Sequence, residues 1–203
     1  TRIHVHPKWL EACSDTQVCR WKIRTGVAKP ILLSSQVAKY VASFGMIEIG
    51  ETEGWAHFRN ADSLVLSCRR YVDDFPDLEK LLAIEGKPVS LPKSLGDKAD
   101  KAGIFSAENA EGNLVLVELL PGKVRIKSQG VSGRYKGWKK LPGFKGPRME
   151  FLIDPQLLMD LVSKHSECQL ADEHLKIESG AYKFVCCLSK PSENGRSESS
   201  EID

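Results

Sequence analysis

Three things are scarce in this 203-residue chain, and each scarcity removes a class of function. The first is an excess of one charge. Lys and Arg number 29 against 27 Asp and Glu, a formal net charge of +2, so no bulk attraction draws the chain onto a polyanion; contact with nucleic acid then requires a local basic face or encirclement. The second is long apolar runs. No stretch approaches the roughly 20 apolar residues of a membrane span, and no basic-then-apolar leader opens the chain, so a soluble protein without a membrane partner is expected. The third is spaced chemical motifs. A Gly-rich phosphate loop, a nucleophile turn and a Cys-x2-Cys pair are all missing from the sequence. Nucleotide hydrolysis, covalent catalysis at an activated Ser or Cys, and zinc-ribbon architecture are therefore left without a signature.

What is present is enough apolar side chain, 41%, to build a core in one large or two ordinary domains. The six cysteines (Cys13, Cys19, Cys68, Cys168, Cys186, Cys187) sit without regular spacing in apolar, strand-like runs. A reduced Cys there behaves as a small hydrophobe, and a reducing, cytoplasmic compartment is expected. The chain begins at Thr1 with residues that already read as a strand, so a truncated front is expected.

One pattern occurs three times: a short apolar strand, a capping residue or Pro, an amphipathic helix, then three strands. The copies begin near residues 30, 88 and 149. In the first, residues 30–33 form the strand, Ser34 or Ser35 caps the helix, and Val37, Tyr40, Val41 and Phe44 recur at helical spacing up to Gly45. Strands at 46–49, 55–59 and 64–69 follow. In the second, residues 88–91 precede Pro92, and Leu95, Ala99 and Ala102 form the apolar stripe of a helix expected to end at Gly103. Strands at 114–119, 123–128 and 133–141 follow. In the third, residues 149–153 lead into Asp154 and Pro155, a strong N-cap and first-turn pair, with Leu157, Leu158, Leu161 and Val162 on one side of the helix. Strands at 167–170, 174–178 and 182–188 close it.

Each copy presents one apolar helix stripe against a small sheet, too little to bury alone, so pairs of copies are expected to share a core. Residues 1–25 supply three strands (3–6, 9–13, 18–25) without a preceding strand and helix. The expectation is an α+β fold of repeated strand-helix-three-strand units paired into two domains. The first, 1–83, is incomplete at its N-terminus; the second spans 87–188; a disordered Ser/Glu-rich tail covers 189–203.

Enzyme and metal readings find little support. His4, His6, Cys13 and Cys19 lack zinc spacing, and Cys186 and Cys187, adjacent on a strand, point to opposite faces. No cofactor, no metal site and no catalytic residue is expected.

Three segments resemble the bacterial and phage DNA sliding clamp, the beta subunit of DNA polymerase III. Residues 11–21 (Glu-Ala-Cys-Ser-Asp-Thr-Gln-Val-Cys-Arg-Trp) are similar to a clamp segment that usually reads Ala-small-Asp-Gly/Asn-His-Arg-Leu. Residues 66–78 (Leu-Ser-Cys-Arg-Arg-Tyr-Val-Asp-Asp-Phe-Pro-Asp-Leu) resemble the Ser-Arg-Leu-Ile-Asp-Gly-X-Phe/Tyr-Pro-Asp-Tyr segment that ends the middle domain. Residues 181–188 (Ala-Tyr-Lys-Phe-Val-Cys-Cys-Leu) resemble the strand that leads into Val-Met-Pro-Met-Arg-Leu. The resemblance implies a DNA clamp fold, here the middle and C-terminal domains of a three-domain protein. It also implies a function without covalent chemistry: a processivity factor that encircles duplex DNA without reading its sequence and tethers polymerase and clamp-loader subunits through short peptide motifs. A homo-oligomeric ring is implied for the full-length protein, and a chain without the first domain is not expected to close one.

The family's hydrophobic peptide cleft, between the middle and last domains, maps onto Cys13, Asp15, Thr16, Gln17 and Val18 in the first segment. Pro76 and Leu81 match it in the second, and Phe184, Cys186, Cys187 and Leu188 in the last. Thr16 and Gln17 stand where the family has His-Arg, and Cys186, Cys187 and Leu188 where it has Met-Pro-Met. The helices that line the hole in the family imply DNA-facing Lys39 and Lys93, and Lys80, just after the Phe-Pro-Asp run, matches a family position near the DNA path. The alternative is a clamp-like, non-enzymatic interaction module that does not encircle DNA.

Overall fold

The structure, a computed structural model, describes residues 2–108 and 112–191. Its contacts divide the chain into two compact units: Thr1–Ile84 with Glu178–Cys186, and Glu85–Ile177 with the chain from Cys187 onward.

The first unit opens with three strands, β1 (Arg2–His6), β2 (Trp9–Cys13) and β3 (Gln17–Lys22). The first copy of the repeat follows: β4 (Ile31–Ser34), α1 (Ser35–Ser43), β5 (Glu48–Thr52), β6 (Trp55–Arg59) and β7 (Val65–Arg69). A short α2 (Glu79–Leu82), not foreseen from the sequence, ends it. The second unit holds β8 (Lys87–Ser90), a 3-10 turn at Lys93–Leu95, α3 (Gly96–Ser106), β9 (Val115–Leu120), β10 (Gly122–Gln129) and β11 (Arg134–Leu141). Then come β12 (Met149–Ile153), α4 (Pro155–Lys164), β13 (Glu167–Leu170) and β14 (His174–Ser179); β15 (Tyr182–Cys187) follows. The strand, helix, three-strand order thus recurs three times.

In the first unit β15 returns to pair with β3, giving the antiparallel order β4-β1-β2-β3-β15 beside a separate β5-β6-β7 sheet. This is why residues 178–186 lie with the first unit, where the sequence reading put them in a domain of 87–188. Val27, Ile31, Leu33, Ala56, Phe58 and Cys68 form a core on which Val37 and Val41 of α1 pack. Ser34 caps α1 by accepting from Val37 N at 3.1 Å, and Gly45, at φ +59°, supplies the left-handed turn that ends it. The expected apolar stripe is only half covered. Tyr40 and Phe44 remain 45% and 46% exposed, their rings stacked at 5.9 Å, and no residue of α1 is buried.

The helices of the second unit do pack on each other, burying Ala99 and Ala102 of α3 and Leu158, Leu161 and Val162 of α4. Gly103, expected to stop α3, lies inside it. Its role is close approach, because a Cβ there would sit 3.2 Å from the Pro155 ring, and the helix continues to Ser106. Antiparallel β11-β10-β9-β12 forms one sheet of this unit, with Val115, Val117, Leu119, Val124 and Ile126 all buried on the face toward α3. On the other side β8, β13 and β14 pair in order. Ser189, placed by the sequence in the tail, exchanges backbone hydrogen bonds with Leu152 (2.8 and 3.2 Å), and Lys190 pairs with Glu173 at 2.9 Å. The rest of the expected tail, from residue 192, lies outside the described residues.

Asp154 accepts from Leu157 N at 2.8 Å and precedes Pro155 at the first helical position, so α4 has a well-made start. Asp154→Ala is expected to lower stability by about 1 kcal/mol in urea denaturation, and Asp154→Asn, which keeps a cap acceptor, to recover most of it.

Candidate functional site

Three segments distant in sequence meet in the first unit. The β2–β3 hairpin sets Cys13 opposite Val18, and β15 sets Val185 opposite Val18 and Cys186 opposite Gln17. On this ladder sit Leu78 and Leu82, both 2% exposed, in a cluster with Val18 and Val185; Cys13, Phe75 and Ile84 pack around it. The expected site residues therefore separate by depth. Val18 is buried and, with its ladder partner Val185, forms the floor, whereas Phe184 and Cys186, also buried, flank Val185 on β15 and turn to the opposite face of the sheet. Cys13 and Gln17 are half-buried, and Asp15, Thr16, Pro76 and Leu81 are exposed. Leu81 is 39% exposed because the short α2 turns Leu78 and Leu82, four residues apart, inward instead. Cys187, exposed, and Leu188, buried, belong to the second unit, where Leu188 N donates to Glu173 O at 2.7 Å.

A buried charge chain holds this surface. Arg20 of β3 donates through Nε to Glu11 Oε1 at 2.6 Å and through Nη1 to Glu79 Oε1 at 2.5 Å. His4 Nδ1 donates to the other Glu11 oxygen at 2.8 Å. Glu11 is 4% exposed, and burial works against the Arg20 charge, yet the two carboxylates outweigh it and push the guanidinium pKa up. The chain ties α2 to β3 and β2. The sequence reading missed it, although the signal was there: a hairpin turning at 14–16 places Glu11 directly opposite Arg20.

The segment 70–77 is likewise fixed. Tyr71 bridges to Leu32, Asp73 pairs with Arg2, whose guanidinium lies 4.4 Å over the Tyr71 ring, and Phe75 stacks on His4 at 4.7 Å. Asp77 starts α2 by accepting from Glu79 N at 2.9 Å.

The chemistry of the cysteines is quiet. Burial, then the neighbouring Glu11 and Asp15 charges, pushes the Cys13 thiol up, and burial does the same to Cys19 and Cys68. A raised thiol pKa leaves little thiolate to act as nucleophile or metal ligand. His4 is engaged by Glu11 and His6 stacks on Trp9 at 3.6 Å, so neither ring is turned toward a shared centre with Cys13 and Cys19. No group of His, Cys, Asp and Glu among the described residues is arranged to hold a metal ion.

Of the lysines expected to face DNA, Lys39 lies on α1, Lys80 on α2 and Lys93 in the 3-10 turn before α3, all exposed. Asp97 and Asp100 are exposed on α3 beside Lys101, so that helix surface carries mixed charge. No helix among the described residues is long and apolar enough to cross a membrane.

No protein-family model matches the sequence, and no curated protein does. Solved structures do. The DNA polymerase III subunit beta from Pseudomonas aeruginosa aligns with a TM-score of 0.77 at 12% identity, covering 94% of this chain and 58% of its own. This is the fold of a DNA sliding clamp. The C. crescentus beta sliding clamp (TM-score 0.77, 14% identity, 93% of this chain, 57% of that one) agrees with it. So does the Bacillus subtilis DNA polymerase sliding clamp (0.75, 12%, 94%, 56%). The chain spans less than three fifths of the length of these clamps. The α+β clamp fold is thus present without detectable sequence kinship, which means that packing pattern, not residue identity, carries the likeness.

Arg20→Ala would strand Glu11 without its cation. The expected loss is about 3 kcal/mol in chemical denaturation, whereas Glu79→Ala, at the exposed end of the chain, should cost under about 1 kcal/mol.

Proposed function

We propose that the chain is part of a DNA polymerase processivity factor, a sliding clamp that encircles duplex DNA and acts without covalent chemistry. Such a protein raises processivity topologically: a closed ring slides but does not fall off, and a tethered polymerase stays at high effective concentration. Weak, sequence-independent contact suits sliding, and the net charge of only +2 supports it. Lys39, Lys80 and Lys93 are the proposed DNA-facing cations. A homo-oligomeric ring is proposed for the full-length protein, in the cytoplasm.

The observation that carries the reading is the meeting of segments 13–18, 75–84 and 184–186 on one ladder of a clamp fold. We assign it to the capture of short peptides with apolar anchors from polymerase and clamp-loader subunits. Cys13, Asp15, Thr16, Gln17, Pro76 and Leu81 offer the accessible contacts, with Val18 beneath; the resemblance to clamps also assigns Phe184 and Cys186, which turn to the other face of β15, and Cys187 and Leu188 of the second unit. A second reading, a clamp-like interaction module that does not encircle DNA, is favoured by Thr16 and Gln17, which remove a cation and a ring from the rim.

Primed circular DNA distinguishes the two. The full-length protein is expected to lengthen the products of its cognate polymerase, and to remain on closed circles but run off once they are linearised. No stimulation overturns the clamp reading; peptide capture without retention on circles establishes the second. Leu81→Ala should weaken peptide binding about tenfold, or ~1.4 kcal/mol, by fluorescence anisotropy.

A further inference from the structure

The sheet β11-β10-β9-β12 has two very different faces. Register fixes which residues share the face away from α3: Arg125 lies opposite both Glu118 and Trp138, Lys127 opposite Lys136, and Lys123 opposite Lys140. Directly opposed residues of an antiparallel ladder project to the same side. Arg134 lies two residues before Lys136 on β11, and Arg148 reaches the same face to contact Glu118 and Glu150. Seven cations therefore share this face with two carboxylates, a local surplus of +5 in a chain whose whole net charge is +2.

The two carboxylates are already committed. Glu118 is 1% exposed beneath Arg125 (3.3 Å), Lys127 (3.2 Å) and Arg148 (2.6 Å), and Glu150 holds Arg148 at 2.8 Å. Among the described residues no carboxylate pairs with Lys123, Arg134, Lys136 or Lys140, and all four are exposed. Between Lys136 and Lys140 stands Trp138, 56% exposed, with cations about 7 Å to either side along the strand. An indole left open on a flat, cation-rich sheet is the arrangement that takes a nucleobase on the ring and phosphates on the flanking ammonium groups.

We propose that this face binds single-stranded nucleic acid, with Trp138 as the stacking platform and Lys123, Arg134, Lys136 and Lys140 as the phosphate contacts. A duplex keeps its bases stacked on each other and offers an exposed ring only edges and backbone, so the open indole favours an unpaired strand. The site lies on the sheet and not on the helices, and it is independent of both the peptide surface and the lysines proposed to face duplex DNA.

The test is fluorescence anisotropy of the full chain with a labelled oligodeoxythymidylate of about 16 nucleotides. Trp138→Ala is expected to weaken binding about tenfold and Trp138→Phe to recover most of it. The pair Lys136→Ala with Lys140→Ala should reduce the slope of log affinity against log salt by about 1.4, at roughly 0.7 for each phosphate contact. All three side chains are exposed, so an unchanged thermal melt accompanies these effects. Affinity insensitive to Trp138→Ala overturns the proposal, as does equal displacement of the oligonucleotide by polyglutamate, which would mark an acidic-protein surface. Equal binding of a duplex of the same length, unaffected by Trp138→Ala, overturns it as well. None of these outcomes bears on processivity on circular DNA.

Discussion

The pairing of β15 with β3 is the constraint on which the first unit depends. Without β15, β3 would be an open edge, and Val18 would lose the partner directly opposite it. Leu78 and Leu82 would then have only half a surface to cover. The pairing closes a loop that takes in most of the chain, yet closure entropy grows only logarithmically, by about 0.6 kcal/mol for each doubling of length. A few buried apolar side chains at 25 cal/mol per Å² offset that increment. Bringing a late strand back to an early sheet is therefore energetically modest, and it assembles a surface that no contiguous stretch of sequence contains.

Buried carboxylates recur as the polar counterpart of this packing. Glu11 faces Arg20 across the β2–β3 hairpin, and Glu118 faces Arg125 across the β9–β10 hairpin. In both places the acid is almost fully buried, on a sheet position where a hydrophobic residue would also fit, and in both it gathers more than one basic partner. Such pairs add little net stability over an apolar substitute, but they penalise any register that separates them. A one-residue slip of either hairpin would turn the acid away from its cations, so the pairs act chiefly on register.

The repeat, the starts of α1 and α4, and most strands were legible because they rest on local rules: alternation, helical spacing, and caps at Ser34 and Asp154. Where sequence reasoning failed, the deciding fact was nonlocal. Gly103 looks like a stop until Pro155 comes close enough that a Cβ would crowd its ring. Tyr40 and Phe44 extend an apolar stripe at correct spacing, but periodicity marks a face without saying whether anything covers it. Ser189 reads as tail because its hydrogen-bond partner, Leu152, lies far back in the chain. At the candidate site the three segments named from the sequence do come together around Val18, but which α2 side chains turn toward it was not legible. A helix of four residues is too short for its period to show that Leu78 and Leu82 turn inward while Leu81 turns out.

Net charge bears on the long-range field and says little about any one surface, and the reason is geometric. A strand sends alternate residues to opposite faces, so a core on one side forces whatever is polar onto the other. In β10 and β11 that requirement collects Lys123, Arg125, Lys127, Arg134, Lys136 and Lys140 on one surface, while the acids that balance them in the total lie elsewhere. A ligand within one Debye length, about 8 Å at physiological salt, responds to the local set and not to the sum. Near-neutrality therefore limits long-range attraction without limiting contact at short range. Segregated charge and a small total are therefore compatible in one molecule, the first acting at contact and the second at long range.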